Sequence, residues 1–139
     1  MYAQRVAAQN QQSPGYGNAW QKLSSKILEH GGVAVVPPLG CEFQLRDILR
    51  RGVLQSAPAR LTRGEISQCH RNTAVLFKVG KTIAIVTGYA LSDDGLWRQH
   101  TWGLDKRGTV IETTERRAAY FGFALNEDES EAFVDNELD

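Results

Sequence analysis

Apolar positions along this chain change period from one stretch to the next, and the changes mark its elements. From Asn18, a good N-cap, the run Ala19 to His30 sets Trp20, Leu23, Ile27 and Leu28 on one side and stops at Gly31-Gly32, predicting an amphipathic helix. Val33 to Val36 reads as a short strand stopped by Pro37-Pro38. Phe43 to Leu54 reads as helical again, with Leu45, Ile48 and Leu49 on a different face from Arg46, Arg50 and Arg51. A third helix is predicted from Ser67, as N-cap, to Gly80, as stop, with apolar residues crowding its later turns. Residues 1–17, rich in Gln, Ala, Ser and Gly, read as a flexible arm or the edge of an assembly interface.

The pattern beyond Gly80 is that of strands. Lys81 to Leu91 is β-branched and apolar, Ser92-Asp93-Asp94-Gly95 turns the chain, and Leu96 to Leu104 follows with Leu96, Arg98, His100, Trp102 and Leu104 on one face. Asp105-Lys106-Arg107-Gly108-Thr109 suits a three-residue hairpin loop with Gly108 in the left-handed position. That loop sets Asp105 opposite Thr109 and Trp102 opposite Glu112, so His100 lies one diagonal step from Glu112 on the same side. Diagonal neighbours are about 7–8 Å apart, within reach of long side chains.

Two residues on these elements carry candidate chemistry together with Cys69. Cys69 falls in the first turn of its predicted helix, where unpaired N–H groups and the positive end of the helix dipole favour thiolate over thiol. Those N–H groups can also stabilise an oxyanion. His100 is then the base, and Glu112 holds one imidazole nitrogen while the other faces the thiol; Trp102 shields that contact from water. The bland readings are a cysteine buried as a small hydrophobe, a histidine packed among tryptophans and a solvated strand carboxylate.

The segments Gln68-Cys69-His70-Arg71-Asn72-Thr73-Ala74, Val86-Thr87-Gly88-Tyr89-Ala90-Leu91, His100-Thr101-Trp102, Gly108-Thr109-Val110-Ile111-Glu112-Thr113-Thr114 and Tyr120-Phe121-Gly122 resemble the papain-like fold in its compact bacterial and phage forms. The histidine–tryptophan and carboxylate-x-Thr elements also resemble the transglutaminase-like branch of that superfamily. The resemblance covers about residues 64–125. It implies a cysteine hydrolase or acyl transferase (peptidase, amidase or deamidase) with Cys69, His100 and Glu112 as a triad, a thioester intermediate and a peptide or protein amide as substrate. Gln68, Asn72 and Trp102 are the accompanying candidates for oxyanion and substrate contacts. Glu112 stands where the family usually has aspartate, His70 where an aromatic is common, and Thr101 separates His100 from its tryptophan. The alternative is a papain-like scaffold kept for protein interaction or assembly without catalysis.

Helix before a run of strands gives the expected class, α+β: a papain-like domain over residues 18–125, the cysteine helix packed on an antiparallel sheet of three or more strands. The chain has 139 residues, 42% hydrophobic and 23% charged, the size and balance of one soluble globular domain. Its two cysteines, Cys41 and Cys69, make no disulfide framework. Cys69, His70, His100 and Glu112 could in principle ligate zinc, but adjacent ligands cannot easily both point at one ion and no Cys-x-x-Cys pair is present. No metal or cofactor is therefore expected. Serine chemistry lacks a Gly-x-Ser-x-Gly elbow, and there is no Gly-rich phosphate loop.

The formal net charge of zero hides an asymmetry, because seven of the sixteen acids fall in residues 126–139 and leave sixteen bases against nine acids before them. The acidic stretch reads as a solvated, mobile tail; the sharper alternative folds it back over basic surface or has Phe133-Val134 dock a partner. Arg46, Arg50, Arg51, Arg60 and Arg63 read as a solvated face rather than a nucleic-acid surface, since few aromatics interleave with them. With no basic-plus-apolar leader and no apolar run of membrane-spanning length, a cytoplasmic location without membrane association is expected, signal-independent secretion staying open. Oligomeric state is left open.

Overall fold

Alternation builds the centre of the sheet. In the computed structural model, which describes residues 2–42, 44–55 and 59–138, the long strands β4 (Ala84–Leu91) and β5 (Leu96–Leu104) pair antiparallel from Ala84 opposite Leu104 to Leu91 opposite Trp97. β7 (Ala119–Ala124) lies on the other side of β4, and β6 (Val110–Glu112) pairs with the end of β5. One face of these strands buries Ile85, Tyr89, Trp97, Phe121 and Phe123, and the other buries Val86, Ala90, Trp102, Val110 and Tyr120. Both faces are thus covered, and β4 loses the apolar/polar alternation of a half-exposed strand. Lys81, the expected start of β4, falls before it.

The sheet is mixed, which corrects the expectation of an antiparallel one. Its order is β2-β7-β4-β5-β6-β3, where β2 is Val53–Gln55 and β3 is Arg60–Leu61; β3 runs parallel to β6, and β1 (Ala34–Val35) runs parallel to β5. Pairings of two residues between segments far apart in the chain leave no local pattern from which direction could be read.

Helices close the first face. Tyr16, Trp20, Leu23 and Ile27 are buried along α2 (Tyr16–Leu28), and Leu45 and Ile48 along α3 (Leu45–Arg51). α2 starts before the expected cap Asn18, because Tyr16 is itself buried and its hydroxyl accepts the Glu42 N–H at 3.0 Å. The helix expected over Phe43 to Leu54 breaks at Gly52, after which the chain is extended and pairs with β7; Phe43 lies outside the described residues.

Both ends of the chain differ from expectation. The arm is largely helix α1 (Tyr2–Gln12): Val6 packs on the core, Arg5 donates to the Pro37 carbonyl at 2.7 Å, and buried Gln9 donates to the carbonyls of Pro38 and Gly40 at 2.6 and 2.8 Å. These anchors are mostly polar, so hydrophobic pattern does not reveal them. The acidic tail forms helix α5 (Glu127–Leu138) beside α4 (Cys69–Lys78). A reciprocal cap starts it: Asn126 accepts from the Glu129 N–H, and Glu129 accepts from the Asn126 N–H, each at 2.8 Å. Phe133 and Val134 pack against the core, and Arg51 pairs with Glu129 at 3.2 Å. Asp139 lies outside the described residues. Among the described residues no helix is long and apolar enough to cross a membrane.

A chain ending at Leu125 is therefore expected to melt about 10 °C lower than the full chain, since it loses two apolar contacts and several polar ones worth roughly 2–4 kcal/mol. An unchanged melting temperature would show that α5 contributes nothing to the fold.

Candidate active site

Turn chemistry places the histidine and the carboxylate. Gly108 takes φ +77°, its N–H donates to the Asp105 carbonyl at 3.0 Å, and the Asp105 N–H donates to Thr109 at 3.1 Å. The register that follows sets Leu104 opposite Val110 and Gly103 opposite Ile111. Continued by one residue, it puts Trp102 opposite Glu112 and His100 one diagonal step away. Nε2 of His100 lies 2.8 and 3.0 Å from the two Glu112 carboxylate oxygens, which leaves Nδ1 for another partner.

Glu112 is held from several sides although it is 0% exposed. Besides His100, its oxygens accept from the Tyr120 hydroxyl at 2.8 Å, from the Thr113 and Thr114 N–H groups at 3.0 Å each, and from the Thr114 hydroxyl at 3.0 Å. Burial alone would raise its pKa. The hydrogen bond and charge of His100, with Thr114 and Tyr120, outweigh burial and bring it down to about 2. Tyr120 and Thr114 hold the candidate carboxylate, and the sequence alone does not single them out. Their signals were present in the Tyr-Phe-Gly and Glu-Thr-Thr segments, but neither announces which side chain it serves.

The cysteine arrives where β5 lacks a neighbour. On the side away from β4, β5 pairs with β1 at Leu96 and Trp97 and with β6 at Gly103 and Leu104. Among the described residues no strand covers the stretch between them, and the start of α4 fits that gap. Cys69 is the first residue of α4 and is half-buried. Gln68, not Ser67, occupies the position before the helix, and Ser67 instead takes a left-handed φ of +60°.

Burial pushes the Cys69 thiol pKa up, but the hydrogen bond and charge of His100 and the Thr101 backbone N–H pull it below the ordinary thiol value. His100 moves the opposite way: burial lowers it, while Cys69 and Glu112 raise it further. Both shifts favour a thiolate beside an imidazolium. The main pull on the thiol is the histidine rather than the helix dipole expected from sequence.

The remaining candidates fall in different places. Gln68 is exposed beside Cys69. Asn72 is buried, and its amide accepts the Glu65 N–H at 3.0 Å and donates to the Glu65 carbonyl at 2.8 Å, so it anchors the loop before the cysteine and has little left to offer a substrate. Trp102 is 0% exposed, with its ring 6.0 Å from that of His100 and 4.9 Å from that of Tyr120. It backs the histidine and has no surface to present to a substrate. Gly122 makes room for it, since a Cβ there would meet the indole at 2.9 Å. His70 turns away from the dyad: its Nδ1 meets the Thr101 hydroxyl at 2.6 Å, and its ring packs edge-on against Phe133.

No protein-family model, curated protein or solved structure matches this chain. Among the described residues, no group of three or more His, Cys, Asp or Glu side chains forms a metal-binding set.

Proposed function

We propose that the protein is a cysteine hydrolase or acyl transferase of papain-like or transglutaminase-like type, with Cys69 as nucleophile, His100 as acid and base, and Glu112 as the group that orients His100. The observation that supports this reading is the buried Glu112–His100 pair, 2.8 Å apart through Nε2, which leaves Nδ1 of His100 free of Glu112 while half-buried Cys69 starts the helix packed against β5. An electrostatic role alone would not require the imidazole to be clamped on one side and kept free on the other.

The reaction proceeds in two balanced halves. The Cys69 thiolate adds to the carbonyl carbon of an amide, and the carbonyl pair of electrons moves onto oxygen. When the tetrahedral adduct collapses, the carbon–nitrogen bond breaks and the His100 imidazolium gives its proton to the departing amine. The thioester is then attacked by water or an acceptor amine that loses a proton to neutral His100, and expulsion of the thiolate restores the resting ion pair. The Cys69 N–H, at the first position of α4, has no acceptor within the helix and is one candidate oxyanion donor; the Gln68 side chain is the other.

Alkylation by iodoacetamide across pH tests the proposal. Cys69 is expected to react with a midpoint well below the roughly 8.5 of an ordinary thiol, and His100→Ala is expected to move that midpoint back up. Cys41, read in the same digests, is the internal reference. A Cys69 profile that is ordinary and indifferent to His100→Ala would leave a non-catalytic scaffold as the better reading.

A further inference from the structure

A pocket of about 330 Å³ is lined by residues that neighbour the proposed triad along the chain. Ser67, Arg98 and Thr114 form part of its wall, and each is two residues along the chain from Cys69, His100 or Glu112. In β5 that spacing puts Arg98 on the same face as His100. Arg63, Ile66 and Arg117 also line it.

The rim is built onto the catalytic elements. The Thr62 N–H donates to the Glu112 carbonyl and the Gly64 N–H to that of Thr113, both at 2.8 Å, while Asn72 of α4 grips Glu65. A side chain at Gly64 would collide with the Asn72 amide. Ser67 is the one described non-glycine residue with positive φ, and Ile66 beside it is 86% exposed. Strained backbone and an outward apolar side chain next to a nucleophile are features of a binding loop rather than of packing.

The charges then indicate what it binds. Arg98 is already answered by Asp94 at 2.7 Å. The Arg117 guanidinium donates only to neutral acceptors, the Glu115 carbonyl at 2.6 Å and the Thr114 hydroxyl at 3.5 Å, and among the described residues neither Arg63 nor Arg117 makes an ion pair. The Glu115 carboxylate, which also lines the pocket, offsets one of these two charges and leaves the rim positive. Guanidinium groups bind oxyanions through paired N–H donors, and Ile66 offers a surface for the aliphatic stem of such a residue.

We propose that this pocket selects substrates with an anionic side chain, a carboxylate or a phosphorylated hydroxyl, next to the carbonyl that Cys69 attacks, with Arg63 and Arg117 as the specificity-determining residues. This rests on the thiol-hydrolase reading above.

Three N-acetylated aminoacyl vinyl sulfones, built on glutamate, phosphoserine and glutamine, test it through the rate at which each labels Cys69. The thiolate adds to the vinyl carbon and the imidazolium proton passes to the carbon beside the sulfone. At least one anionic probe is expected to label Cys69 about tenfold faster than the glutamine probe, and the faster of the two identifies the anion. In the double variant Arg63→Gln/Arg117→Gln that advantage is expected to fall to within twofold. Lys106→Gln/Arg107→Gln, which removes the same charge from the hairpin tip, should keep it. Equal rates for the three probes, or an advantage that survives loss of both arginines, would overturn the anion assignment while leaving the nucleophile in place. Failure of every probe to label Cys69 faster than Cys41 would overturn both proposals.

Discussion

Cys69→Ala is expected to remove acyl transfer from an activated ester such as p-nitrophenyl acetate by about 10⁴-fold or more, because the remaining thiol, Cys41, lies outside the proposed triad. The melting temperature should change little. A half-buried thiol replaced by a methyl group loses one polar contact and leaves a small space, a cost of about 1 kcal/mol or less. Cys41→Ala should leave the rate largely intact, since the Cys41 thiol faces the Gln9 carbonyl at 3.6 Å and, among the described residues, makes no hydrogen bond to a histidine or carboxylate. Rate and melting curve measured together on both variants decide the matter. Equal loss of activity in the two, or loss that merely tracks unfolding, would sink the assignment of Cys69 as nucleophile.

Glu112→Gln is expected to damage both activity and stability. The wild-type carboxylate accepts from the His100 ring, the Tyr120 and Thr114 hydroxyls and the Thr113 and Thr114 N–H groups. A glutamine has one acceptor oxygen and brings two donors into the same space. If its oxygen serves the threonine N–H groups, its amine faces His100 Nε2 and forces the proton onto Nδ1, the nitrogen that must accept the thiol proton. The expected loss of rate is about 10²–10⁴-fold, less than for Cys69→Ala because the nucleophile persists and only the orientation and tautomer of its base are lost. The loss of stability, from buried donors left unpaired, is about 2–4 kcal/mol, near 10 °C in melting temperature.

The same variant should also change how stability depends on pH. Glu112 has a folded pKa of about 2 against an ordinary 4.5, so it contributes stability above pH 4.5 that is lost as pH falls toward 2, about 3 kcal/mol in all. His100, with its pKa raised, contributes most below its ordinary 6.5 and loses that contribution as pH rises through its folded value. Glu112→Gln should flatten the acid limb. Melting curves between pH 2 and 5 that keep the same slope in both proteins would show that the carboxylate is not the titrating group.

Local chemistry made part of the site legible beforehand. The loop Asp105–Thr109 needs a left-handed residue where Gly108 stands, and that requirement, with the period of two along β5, fixes which residues face one another across the hairpin. The placement of Cys69 in the first turn of its helix is local in the same sense, although the cap is Gln68 and not Ser67. α2 was legible from its apolar spacing to within a turn at its start.

Other features depend on segments that meet only in the folded chain. Tyr120 reaches Glu112 from β7, and no register rule within the β5–β6 hairpin could have named it. Asn72 looked like a group for substrate and is spent on the backbone of Glu65. The tail looked unable to order itself because its composition is acidic; a two-residue reciprocal cap, Arg51 and the space for Phe133 beside His70 order it. Parallel strands β1 and β3 are too short for their pattern to show a partner. Hairpin register and the helical position of the cysteine are thus written into the chain locally, since both follow from steric preferences acting within a few residues. The mixed sheet, the five donors around Glu112 and the docking of α5 emerge with the folded chain, because each depends on burial and hydrogen bonding between residues whose nearness is not encoded locally.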